Sequence, residues 1–167
     1  MSRDFPDWIH PGKAAAARRH FAGTVAVDRL PRLADMIVAD AGGEVQFELD
    51  FALDELSQVR VDVRVNGWVP MQCQRTLATY RQPVEAESVV GVVVSEEEAA
   101  GLPEDYDPQL CPDNRLELLG LIEEEVLLCL PLVPVAPDSS RISAEPQSAD
   151  THRPFEALAA LKNGRDK

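Results

Sequence analysis

The sequence predicts a single α+β domain: an antiparallel β-meander flanked by helices, followed by a flexible linker and a short C-terminal helix. Three observations carry this. Apolar and polar residues alternate through the middle of the chain, with no crossover helix between the alternating runs. A helical apolar stripe comes next and is closed by two prolines. The hydrophobic fraction is 45% over 167 residues, enough for one core, and with 5% aromatic residues the packing must be largely aliphatic.

The first 20 residues carry Pro6, Pro11 and Gly12 ahead of Ala14–Ala17, a run that either extends a helix or lies on the surface. Residues 30–38 read as a short amphipathic helix with Pro31 in its first turn and Leu33, Met36 and Ile37 on one side. Gly42-Gly43 ends it. Val45, Phe47, Leu49 and Phe51 then alternate with Gln46, Glu48 and Asp50, as a half-buried strand does. Val59, Val61, Val63 and Val65 alternate equally well with Arg60, Asp62 and Arg64. Asn66-Gly67 signals a type I′ hairpin turn, with a return strand from Trp68 to about Cys73. Extended segments near 78–87 and 88–94 complete four or five antiparallel strands, and parallel pairing is not expected.

From Glu96 to Glu125 the chain carries eleven carboxylates against Arg115 alone. Gly101, Pro103, Pro108 and Pro112 break this stretch. Asp113 or Asn114 is placed to cap a helix over about 115–130, with Leu119, Ile122, Val126 and Cys129 on its core-facing stripe. Pro131 and Pro134 stop the helix. The expected organisation is a core over 20–135, a linker over 136–152 and a docking segment over 153–167. In that last segment Phe155, Leu158 and Leu161 are the apolar anchors.

Net charge is -13 with a pI near 4.5. Such a balance disfavours a broad phosphate-binding surface, so DNA is not an expected partner, and a basic protein suits the charge better. A small positive region remains open: Arg60 and Arg64, on the polar side of their strand, together with Arg75 and Arg81 beyond the turn. Plain polar alternation explains the first two as well.

The chemistry of catalysis is not assembled. Cys73, Cys111 and Cys129 are too few and too irregular for a disulfide framework, and Cys73 is followed by Gln74, Arg75 and Thr76 rather than a CxxC pair. His10, His20 and His152 show no ligand spacing with them. Cys129 reads as a small buried hydrophobe and Cys111 as an incidental loop residue. Glu123, Glu124 and Glu125 read as a solvated helix face, with Glu123 and Glu124 as candidate contacts for a basic protein, rather than an acid/base pair or a Mg²⁺ site. No nucleophile elbow or phosphate loop is present, so no cofactor and no enzymatic activity are expected. No apolar run reaches 18 residues and no signal-peptide pattern opens the chain, so a soluble cytoplasmic protein without a membrane partner is expected.

Four stretches, in order, resemble the YceD family of large ribosomal RNA subunit accumulation proteins. The first is Trp68-Val69-Pro70-Met71-Gln72-Cys73-Gln74-Arg75, similar to a strand entering a Cys-Gln-Arg-Cys segment. Leu102-Pro103-Glu104-Asp105-Tyr106-Asp107-Pro108 resembles a Leu-Pro-Glu-x-Tyr-x-Pro loop. The acidic helix running into Leu130-Pro131-Leu132-Val133-Pro134 is the third, and Arg153-Pro154-Phe155 through Leu161-Lys162 the fourth. The resemblance implies a non-enzymatic ribosome-biogenesis factor needed for 23S rRNA accumulation, with a pre-50S or 23S rRNA-associated protein as partner. Departures are also visible. Thr76 stands where the family commonly has a second Cys, and Ala136 and Ser139 or Ser140 where it has His and Cys, which implies that metal or thiol chemistry is dispensable or lost in this chain. The competing readings are a protein–protein adaptor acting on rRNA only indirectly, and a metal-dependent hydrolase built on Glu124 and its neighbours.

Overall fold

The computed structural model describes residues 5–139. The expected C-terminal helix, with Phe155, Leu158 and Leu161, lies outside the described residues, as does the expected linker beyond Ser139.

Alternation builds the sheet as expected. Strand β2 (His20–Ala26), β3 (Glu44–Leu53), β4 (Val59–Gln72) and β5 (Thr79–Val93) form a continuous antiparallel meander. Its inner face carries Val45, Phe47, Leu49, Phe51, Val61, Val63 and Val65, all buried. Helix α1 (Pro11–Ala16) packs on β3 and β4, and α3 (Leu118–Cys129) packs on β5 and β4. Phe5, Ala14 and Ala15 belong to the core, so the alanine run is a helix and the packed unit begins ahead of residue 20. A two-stranded ribbon pairs β1 (Trp8–Ile9) with β7 (Leu116–Glu117) and brings the N-terminal segment to the start of α3.

Four local expectations are corrected. Asn66-Gly67 is not a turn. Strand β4 runs straight through it, with Asn66 opposite Gln46 on one side and Glu85 on the other. Strands on both sides claim the ladder, and a Cβ on Gly67 would lie 2.2 Å from the Glu44 carbonyl oxygen, so glycine is here for close backbone approach. The hairpin turn is Cys73–Ala78, closed by the Cys73 N–H on Ala78 O at 2.9 Å. Consequently 78–87 and 88–94 form one long strand.

The second correction concerns pairing direction. Strand β6 (Asp107–Leu110) runs parallel to β5 at the sheet edge, reached through the four-residue helix α2 (Glu96–Ala99). The thirteen residues between Val93 and Asp107 suffice for that return. Third, residues 30–38 form no α-helix. Two 3₁₀ turns, Val27–Arg29 and Pro31–Leu33, bury Val27, Leu30 and Leu33, while Met36 is exposed. Finally, α3 starts later than expected, with Glu117 at its N-cap and Asn114 in a left-handed turn at φ 54°. Its buried side is Leu118, Leu121, Ile122 and Val126, with Leu119 and Cys129 at the margin. Cys111 lies in a loop as expected, and its side chain is buried in the core.

Candidate binding surfaces

The outer face of the sheet is where Arg60 and Arg64 emerge. Cross-strand register places Glu48, Arg64 and Glu87 in one row and Asp50 and Asp62 in the next. Arg64 donates through Nε to Glu87 at 3.1 Å and through Nη1 to Glu48 at 3.4 Å, with Asp50 at 3.7 Å. Arg60 is paired with Asp62. His20 adds a 2.7 Å contact to Asp50. Glu44 and Glu85 have no ion pair among the described residues. Four carboxylates therefore contact the two guanidinium groups, Glu44 and Glu85 add further negative charge along the same face, and the face is acidic. It forms a shallow open cavity of about 530 Å³ lined by Gln46, Glu48, Arg64, Asn66, Glu85 and Glu87.

One end of this face is covered. Leu102 and Tyr106 lie over Gly91, where a Cβ would meet Leu102 Cδ1 at 2.7 Å. The Tyr106 hydroxyl donates to Asp54 Oδ2 at 3.4 Å, and the Arg60 guanidinium sits 6.0 Å from the Tyr106 ring centre. The Leu-Pro-Glu-x-Tyr-x-Pro loop is thus a flap over the sheet, a role that its sequence did not disclose.

Arg75 stands apart. At roughly 3.3 Å per residue, the strand from Arg60 to Gln72 extends on the order of 40 Å, so Arg60 and Arg75 share no patch. Arg75 lies in the β4–β5 turn and donates to Ser139 O at 2.6 Å and Ser139 Oγ at 3.2 Å. Arg81 is exposed and stacks over Trp68, 4.2 Å from its ring centre. The positions at which the resemblance noted departures do meet here. Cys73 Sγ accepts the Ala136 N–H at 3.3 Å, and Ser139 closes back on Ala136. One thiol and two hydroxyls are not a structural zinc donor set, so these residues do not fit that metal. Among the described residues no group of three or more His, Cys, Asp or Glu is arranged to hold a metal ion.

The acidic helix is not the solvated face expected. Glu123 and Glu125 are each 4% exposed. Glu123 accepts the Arg32 backbone N–H at 2.6 Å, and Glu124 pairs with the Arg32 guanidinium, so both carboxylates secure the Pro31–Leu33 turn. Glu125 falls on the same side as Leu118, Leu121 and Ile122 and faces β5. Burial pushes its carboxyl pKa up, and the neighbouring charges of Asp107 and Glu124 reinforce the shift. Leu128 on the last turn of α3, and Leu132 and Val133 just past it, are exposed and apolar, a feature that the Leu-Pro-x-Val-Pro pattern did not announce. No helix among the described residues is long and apolar enough to cross a membrane.

Comparison with known proteins agrees with the ordered motifs. No solved structure matches this chain. The family model described as "Large ribosomal RNA subunit accumulation protein YceD" matches residues 61–162. A Haemophilus influenzae protein of the same description is 32% identical over 167 aligned positions, covering 94% of this chain and 95% of that protein. With the strand, flap, helix and terminal motifs all falling inside one end-to-end match, the chain belongs to the YceD family of large ribosomal RNA subunit accumulation proteins.

Proposed function

We propose that this protein is a non-enzymatic, cytoplasmic ribosome-biogenesis factor that supports the accumulation or stability of 23S rRNA by binding a component of the large-subunit precursor. The observation carrying this reading is the end-to-end similarity to a large ribosomal RNA subunit accumulation protein. Surface chemistry favours a protein partner with a basic surface. Arg60 and Arg64 are committed to carboxylates, so phosphate would have to displace Asp62, Glu48 and Glu87 to reach them. A direct RNA contact is left to Arg75 and Arg81 at the far end of the β4–β5 ribbon. The apolar anchors Phe155, Leu158 and Leu161 remain candidates for a groove on the partner.

A second reading, the adaptor, draws on the same acidic face. Sedimentation separates the two. In a lysate gradient the protein is expected to travel with large-subunit precursors and to be released by nuclease. Retention on a protein partner after nuclease treatment, with no precursor association before it, would overturn the leading reading in favour of the adaptor.

A further inference from the structure

Residues 26–43 carry the chain from the end of β2 to the start of β3 and wall a groove of about 490 Å³. Leu30, Pro31, Ala34, Ile37 and Val38 give it an apolar lining, and Asp28 and Asp40 stand beside them. The walls are fixed. The Leu30 N–H donates to Val27 O and the Leu33 N–H to Leu30 O, both at 3.1 Å, and the Val38 N–H donates to Pro70 O at 2.9 Å. From α3, Glu123 holds the same segment through the Arg32 N–H. A preformed concavity of this size lies in the range that takes up apolar groups. Both aspartates are exposed, and neither has an ion pair among the described residues.

The chain itself supplies a matching occupant. Its exit from the domain is pinned, since the Gln74 N–H donates to Pro134 O at 2.9 Å and Arg75 Nη1 to Ser139 O at 2.6 Å. Pro70 and Arg75 are close in sequence, so Ser139 lies about 25 Å from Val38 by the length of strand and side chain between them. Residues 140–152 then reach on the order of 40 Å when extended, enough to cover that span. Beyond them Phe155, Leu158 and Leu161 recur every third residue, the spacing that lines one side of a helical turn. A helix this short is marginal unless it docks. The segment also carries Arg153, Lys162, Arg165 and Lys167 against Glu156 and Asp166, a basic balance within a chain of net charge -13. Its anchors match the apolar lining, and its charge matches the two uncommitted aspartates.

The exposed patch of Leu128, Leu132 and Val133 offers less. Leu132 is fully exposed, with no walls around it, and Glu124, one helical turn before Leu128, is already paired with Arg32.

We propose that residues 153–162 dock in cis in the groove between β2 and β3, with Phe155, Leu158 and Leu161 against its apolar lining and the flanking cations near Asp28 and Asp40. Tethering makes the event intramolecular, so modest contacts suffice to hold it. This is the resting place of the segment in the free protein, and a partner's groove for the same anchors would compete with it.

NMR of the labelled full chain tests this. In the parent, residues 155–161 are expected to show the heteronuclear NOE values of a packed segment. Phe155→Asp/Leu158→Asp changes no residue of the domain core. It should drop those values to the level of unstructured chain and shift the amides of Ala34, Ile37 and Val38. Asp28→Asn/Asp40→Asn should produce part of the same loss, and Asn tolerates the left-handed φ of 57° that Asp40 adopts. Low NOE values across 155–161 in the parent, or groove amides that do not respond to the tail substitutions, would overturn the proposal. So would shifts confined to Leu128, Leu132 and Val133. Groove shifts that grow with protein concentration would also overturn it and assign the groove to a second copy.

Discussion

At the scale of single residues, the charges that matter most are those whose surroundings the sequence conceals. Glu125 reads as one of three solvated glutamates, yet its position three, four and seven residues from Ile122, Leu121 and Leu118 puts it on the buried side of α3. The native protein binds the Glu125 proton more tightly than the unfolded chain does. Stability is therefore expected to fall as pH rises from the ordinary carboxylate range through the raised value. Glu125→Gln removes this loss. The variant should melt higher than the parent at pH 8, by on the order of 2–4 °C, with the gap closing toward pH 4. An equal gap at both pH values would show that packing, not ionisation, separates them. Arg64 gives the opposite lesson. Its exposure was legible from strand alternation, but its partners Glu48 and Glu87 are 16 and 23 residues away, so only the register shows that its charge is engaged.

Among the elements, β4 shows both what was legible and what misled. Val61, Val63 and Val65 continue in the same parity through Val69 and Met71, all buried, so one uninterrupted strand was written across Asn66-Gly67. The local turn preference lost because β3 and β5 pair with both residues. Gly67→Ala is expected to destabilise by about 1–3 kcal/mol, the usual cost of overpacking, since its methyl would strike the Glu44 carbonyl and the Val45 Cα. Asn66→Ala, on the exposed face, should fall within about 0.5 kcal/mol of the parent. Urea melts of the two variants check this, and a larger loss from Asn66 would restore the turn. The parallel edge strand β6 was not legible, because its four residues carry no alternating signal and the flap that delivers it is read only once Leu102 is seen over Gly91.

For the whole molecule, net charge and fold class were legible from composition and pattern, whereas the distribution of charge was not. The carboxylates gather on the outer face of the sheet around Arg60 and Arg64, while α3 turns two of its three consecutive glutamates inward. Association with a basic partner through this face should weaken steeply with added salt. Glu85→Lys/Glu87→Lys should weaken it far more than the charge-matched Glu96→Lys/Glu97→Lys in α2. Equal losses from the two pairs would assign the attraction to net charge alone.

The measurement that tests the central claim most directly is the ratio of 23S to 16S rRNA in a deletion strain. It is complemented by the parent chain, by a chain ending at Ala149, and by Arg60→Ala/Arg75→Ala. A 23S deficit restored by the parent chain is the expected result. Failure of the shortened chain would then place binding beyond Ala149, and failure of the double variant would assign it to the arginines. An unchanged ratio in the deletion strain, in the absence of a redundant homologue, would contradict a role in 23S accumulation.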